Sequence, residues 1–155
     1  MLKSARKSGK SLADGRSLAV VALLCGASLL LCSCGSVSQD AVLAKQGVAE
    51  FHSQLDAEQY AALYAEADPK LHDAATQADF TKLLEAVHRK LGTVRQSNLR
   101  TWNAAWHTGQ GTTVTLTYDT TFATGSGTEQ FLWHIDDNRA LLYGYHINSA
   151  DLIEK

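Results

Sequence analysis

The stretch TQADFTKLLEAVHRKLG, Thr76 to Gly92, carries one periodicity, and TTVTLTYDTTF, Thr112 to Phe122, carries another. In the first, Phe80, Leu83, Leu84, Val87 and Leu91 recur every three or four residues, which gives a helix one apolar face. Thr76 stands at the N-cap with Asp79 three residues on, basic residues fill the last turn, and Gly92 is the stop. In the second stretch Val114, Leu116, Tyr118 and Phe122 alternate with Thr113, Thr115, Thr117, Asp119 and Thr121, so the two sets lie on opposite faces of a strand. The change of period after Gly92 decides the fold class, with helices before it and strands after it.

Upstream, Ala44, Val48, Phe51 and Leu55 predict a helix from Ala41. Asp56 followed by Gln59 has the form of a capping box, which predicts a second helix carrying Tyr60, Leu63 and Tyr64 inward and ending at Asp68-Pro69. Downstream, a strand from about Val94 to Trp106 is closed by HTGQG. TEQFLWHID and ALLYGYHIN are two further strands, joined at Asp137-Asn138, a pair suited to a tight hairpin turn. Three helices and then a four-stranded antiparallel meander predict an α+β domain with the helices packed on one face of the sheet.

The N-terminus reads as an export signal. Lys3, Arg6, Lys7, Lys10 and Arg16 precede the uncharged run Ser17 to Leu31. As a helix that run would cover about 22 Å, short of the ~30 Å hydrocarbon core a permanent span needs. Leu31-Cys32-Ser33-Cys34 resembles the bacterial lipobox, which implies cleavage after Ser33 and a lipid on Cys34. A thiol is needed because a thioether must form before cleavage, and no other side chain is nucleophilic enough at neutral pH. Cys25 and Cys32 read as small apolar residues of the leader. A Cys32–Cys34 disulfide would close a small, strained ring, and a Cys-x-Cys metal site has no partners within ten residues.

The expected organisation is a signal peptide over 1–33, a lipidated tether over 34–40 and one domain over 41–155. From Cys34 onward there are nine basic and fifteen acidic residues, a net charge of −6. Such a domain has no general electrostatic reason to bind nucleic acid. The expected location is the bacterial envelope, on the periplasmic side, anchored in the membrane through the lipid. Gly35 after the modified cysteine, in place of an inner-membrane retention aspartate, points to the outer membrane.

The run from Leu55 to Val94, then YDTTF, Glu129 and DDNRALLYGYHI, resembles a group of small exported bacterial domains of unknown function. That group belongs to the cystatin-like, nuclear-transport-factor-2-like (SnoaL-like) superfamily, which also holds ketosteroid isomerase and the SnoaL-type cyclases. The resemblance implies a sheet curved around a cavity. Relatives commonly carry a tryptophan shortly after the last turn, where this chain has Arg139-Ala140, which implies a differently filled pocket wall. No catalytic residue of the enzymatic branches maps onto this chain by motif, and the fold alone confers no function.

Tyr118, Trp133, Tyr143 and Tyr145 are the candidate pocket wall, with Asp119 or Glu129 the available acids. Adjacent strand residues face opposite sides, so only one of Tyr118 and Asp119 can meet a pocket, and Asp119 among threonines reads as a solvated face. His52, His72, His88, His107, His134 and His146 show no close metal-ligand spacing. His52 with Asp56 and His88 with Glu85 read as ion pairs at helical spacing, and His134 and His146 share a sheet face if the last hairpin has an odd loop. No metal, cofactor or catalytic residue is expected. The primary expectation is a non-enzymatic binding domain for an envelope protein partner or a small apolar ligand. The alternatives are a small periplasmic isomerase or cyclase, and an immunity or inhibitor protein against a periplasmic toxin. The threonine face, with Asp119 and no large apolar residue, favours a monomer.

Overall fold

The computed structural model describes residues 35–108 and 111–154. Cys34, the expected leader before it and the expected cleavage site lie outside the described residues.

The first helix, α1, runs Gly35–Asp56. Ala41, Ala44, Val48, Phe51 and Leu55 form its buried face. It begins six residues before Ala41, so the stretch Gly35 to Asp40, expected as a tether, is helical. No proline interrupts it, and adding a turn to a nucleated helix costs little. The second helix, α2, is Tyr60–Ala65. The expected capping box does not form, since Asp56 closes α1 and its Oδ1 accepts from the Val94 backbone N–H at 3.0 Å, while Gln59 makes no side-chain cap.

Asp68-Pro69, expected only as the end of a helix, begins another, α3 (Pro69–Ala74). Asp68 Oδ1 accepts from the Lys70 backbone N–H at 2.8 Å, and proline at the first helical position has no N–H to leave unsatisfied. The fourth helix, α4 (Gln77–Leu91), has the expected ends: Thr76 Oγ1 accepts from the Asp79 N–H at 3.2 Å, and Gly92 takes a positive φ of 80°. Leu83 is an exception on its apolar side, 37% exposed, while Phe80, Leu84, Val87 and Leu91 pack inward. Among the described residues four helices therefore precede the sheet where three were expected, and a short α5 (Asp151–Glu154) follows it.

The sheet is a meander of β1 (Val94–His107), β2 (Gly111–Phe122), β3 (Ser126–Asp136) and β4 (Arg139–Asn148), antiparallel throughout and in sequence order. Asp137 and Asn138 have φ of 46° and 57°, the left-handed pair that a two-residue hairpin requires. Val114, Leu116, Tyr118 and Phe122 from β2 join Phe131, Trp133, Ile135, Leu142 and Tyr145 in one core with the buried faces of α1 and α4. The threonine face of β2 points the other way. In β4 the register slips: Leu132 pairs with Gly144 but Trp133 pairs with Leu142, so Tyr143 is an extra, bulged residue.

Candidate functional site

Glu129 sits in the middle of the apolar side of β3, between Gly127 and Phe131, and is fully buried. Burying a carboxylate in that place is costly unless donors replace its water. Three do. Tyr145 on β4 donates from its hydroxyl to Oε1 at 2.8 Å, Thr120 on β2 donates to Oε2 at 2.5 Å, and His52 on α1 places Nε2 2.8 Å from Oε2. With an acceptor-only carboxylate opposite, that ring nitrogen is the protonated one. Ser97 on β1 extends the chain, its Oγ 3.2 Å from Thr120 Oγ1. One helix and all four strands thus meet at a single polar cluster inside the core.

Aromatic rings surround this cluster. Phe131 packs edge-on to Phe51, His52 and Tyr118, with centroids 5.1, 5.6 and 6.1 Å apart. Burial, then the charge of Glu129 and its hydrogen bond, raise the Tyr145 phenol well above its ordinary pKa. Burial alone raises that of Tyr118. The arrangement keeps two phenols neutral and one carboxylate satisfied, and it leaves the carboxylate no surface open to solvent.

The expected site residues divide. Tyr118, Trp133 and Tyr145 lie on the helix side of the sheet. Trp133 lines a narrow cleft of about 80 Å³ with Phe51, Leu63, Ala140 and Leu142, and packs so closely on Gly47 that a Cβ there would lie 2.9 Å from the indole. Its Nε1 is buried without a hydrogen-bond partner among the described residues. Tyr143 is elsewhere: the bulge turns it to the far side of the sheet, beside Thr113 and His134. Asp119 is exposed, accepting from Thr128 Oγ1 at 3.1 Å with Arg100 at 3.6 Å.

Two histidine pairings differ from expectation. His52 turns inward to Glu129 rather than along its helix to Asp56, and His88 meets Glu58 at 3.8 Å rather than Glu85. His134 and His146 occupy the same outer face even though the hairpin loop has two residues, because they pair with Leu141 and Gln130 on either side of the bulge. A contact that sequence reasoning missed joins His134 Nδ1 to Asp68 Oδ2 at 2.6 Å, tying β3 to the start of α3. Among the described residues no cluster of three or more histidine, cysteine or acidic side chains is arranged to hold a metal ion, and no helix is long and apolar enough to cross a membrane.

An apolar strip on β1 stays open. Leu99, Trp102, Ala104 and Trp106 pair with Tyr118, Leu116, Val114 and Thr112, so they share the helix side of the sheet. Leu99 is nevertheless 37%, Trp102 46% and Trp106 69% exposed. The helices cover β2 to β4 and leave this part of β1 bare.

No curated protein and no solved structure matches the chain. A family model described as "Protein of unknown function (DUF4019)" matches residues 48–145, a span that holds His52, Glu129 and Tyr145, and the chain belongs to that family.

Proposed function

We propose that this chain is a bacterial envelope lipoprotein, anchored in the outer membrane through Cys34, whose domain binds a protein partner rather than catalysing a reaction. The observation that carries the reading is the strip Leu99, Trp102 and Trp106, three large apolar side chains open on the uncovered helix side of β1. Tryptophan contributes much binding energy per residue when enclosed, and β1 is also a sheet edge with unpaired main-chain groups. The buried cluster supports binding over chemistry, because Glu129 is enclosed and fully bonded by its own protein. Helices followed by a four-stranded antiparallel meander support the cystatin-like, nuclear-transport-factor-2-like reading of the fold.

A photo-crosslinking residue placed at Trp102 tests this in intact cells, with the same residue at Lys82 on the far helix as the control. A discrete crosslinked species at Trp102 and none at Lys82 is the expected result. Equal labelling at both positions, or none at Trp102, would overturn the reading.

A further inference from the structure

We propose that the polar hollow on the outer face of the sheet, between the start of α3 and the end of β1, binds a small molecule carrying an oxyanion, either a carboxylate or a phosphate. The hollow measures about 220 Å³ and is lined by Lys70, His107, Thr113, His134 and Tyr143. These come from α3 and from each of the four strands. Lys70, His107, Thr113 and Tyr143 can each donate a hydrogen bond, His134 Nδ1 is held by Asp68, and none of the five is acidic. A ligand group that only accepts, and that carries negative charge, is the complement of such a lining.

Asp68 does not cancel this character. It is buried behind the hollow, 3% exposed, with one oxygen taken by the Lys70 backbone N–H and the other by His134 Nδ1. Its role is to orient the His134 ring. Among the described residues Lys70 Nζ has no carboxylate within ion-pair distance, and it stands 5.2 Å from the centre of the Tyr143 ring. The side chains of His107, Thr113 and Tyr143 likewise have no hydrogen-bond partner among the described residues. Lys70 carries the formal charge of this lining, and it is positive, in a domain whose net charge is negative. The β4 bulge helps build the hollow, since it delivers Tyr143 to this face while Leu142 and Tyr145 stay in the core.

The site is separate from the β1 strip and stands or falls independently of it. The test is a nuclear magnetic resonance titration of the full chain in detergent micelles with inorganic phosphate and, separately, with acetate, against chloride at matched ionic strength. Saturable shifts of the His107, Thr113 and Tyr143 resonances are expected with at least one oxyanion. Stronger binding of phosphate assigns a phosphorylated ligand, and acetate binding at least as strong assigns a carboxylate. Lys70→Ala should weaken the affinity about tenfold, as loss of a charge-assisted hydrogen bond does, and Tyr143→Phe should weaken it less. Lys82→Ala, at an exposed position of α4, should change nothing. The spectrum itself reports whether each variant is folded. No saturable shift with either anion, shifts matched by chloride, or affinity unaltered in both Lys70→Ala and Tyr143→Phe would overturn the proposal.

Discussion

The Tyr145 hydroxyl donates to Glu129 Oε1 at 2.8 Å across the β3–β4 pair, on the same face as the directly paired Phe131 and Tyr145. The bond runs diagonally, two residues from register, within reach of a long side chain. With Thr120 and His52 on the other oxygen, it makes Glu129 the polar centre of an otherwise apolar core.

Glu129→Ala should therefore cost about 3–5 kcal/mol, because it strands three buried donors at once. Urea unfolding measures this. A loss under about 1 kcal/mol would mean the cluster is not a tie between α1 and the sheet.

Burial of the Tyr145 phenol, with the charge of Glu129 and its hydrogen bond beside it, predicts an alkaline limit. The Tyr145 pKa is raised in the folded state above the ordinary 10.0. As pH rises past that value the unfolded chain releases a proton that the folded chain keeps, so unfolding is favoured. Stability is fully present below pH 10.0 and falls as pH rises through the folded pKa. Tyr118 and Tyr60, also raised, add to the fall in the same direction. Tyr145→Phe should lower stability near neutral pH yet flatten the decline above it. Urea midpoints measured across the alkaline range check this, and equal slopes in the two proteins would refute it.

Neighbouring leucines on α4 separate packing from propensity. Leu84 is fully buried and Leu83 is 37% exposed. Leu84→Ala should cost about 2–5 kcal/mol and Leu83→Ala under about 1 kcal/mol. Similar values at both sites would place the core on a different face of the helix.

Local signals carried most of this fold. The α4 caps at Thr76 and Gly92, the alternation in β2 and the Asp137-Asn138 turn each depend on a few adjacent residues, and each was legible. Pro69 was ambiguous because proline both stops a helix and suits the first position of the next. The β4 bulge was hidden because the alternation of Tyr143 and Tyr145 implies one shared face, and only cross-strand register shows otherwise. The Glu129 cluster depends on a partner 77 residues away, which no spacing rule reaches. One sequence signal did exist: Glu129, Phe131, Trp133 and Ile135 alternate, which puts a lone acid on an apolar face, where it must find donors.

The anchor is tested outside the described residues. Cys34→Ser should abolish labelling by a palmitate analogue and leave an uncleaved precursor, whereas Cys25→Ser and Cys32→Ser should keep both labelling and cleavage. Labelling that persists in Cys34→Ser would remove the lipid from the proposed function.

The outer sheet face decides the oligomeric state. Thr113, Thr115 and Thr117 are half-buried there, beside Asn103, Thr101, Leu132 and Gln130 on the adjoining strands. Threonine suits the pleated backbone while its hydroxyl stays hydrated, and Asp119 keeps the same face charged. Arginine at Thr115 and Thr117 has an open path to solvent, and at 117 it stands two residues from Asp119 on the same face. The double variant Thr115→Arg, Thr117→Arg should stay folded within about 0.5 kcal/mol of the parent if this face is solvated. If the face were a subunit interface, two arginines would be desolvated there without partners and the subunits would separate. Light scattering of the delipidated chain should give a monomer with and without the substitutions. A parent dimer that the arginines dissociate would instead make the outer face an interface, and the search for the partner surface would then begin from a two-chain assembly.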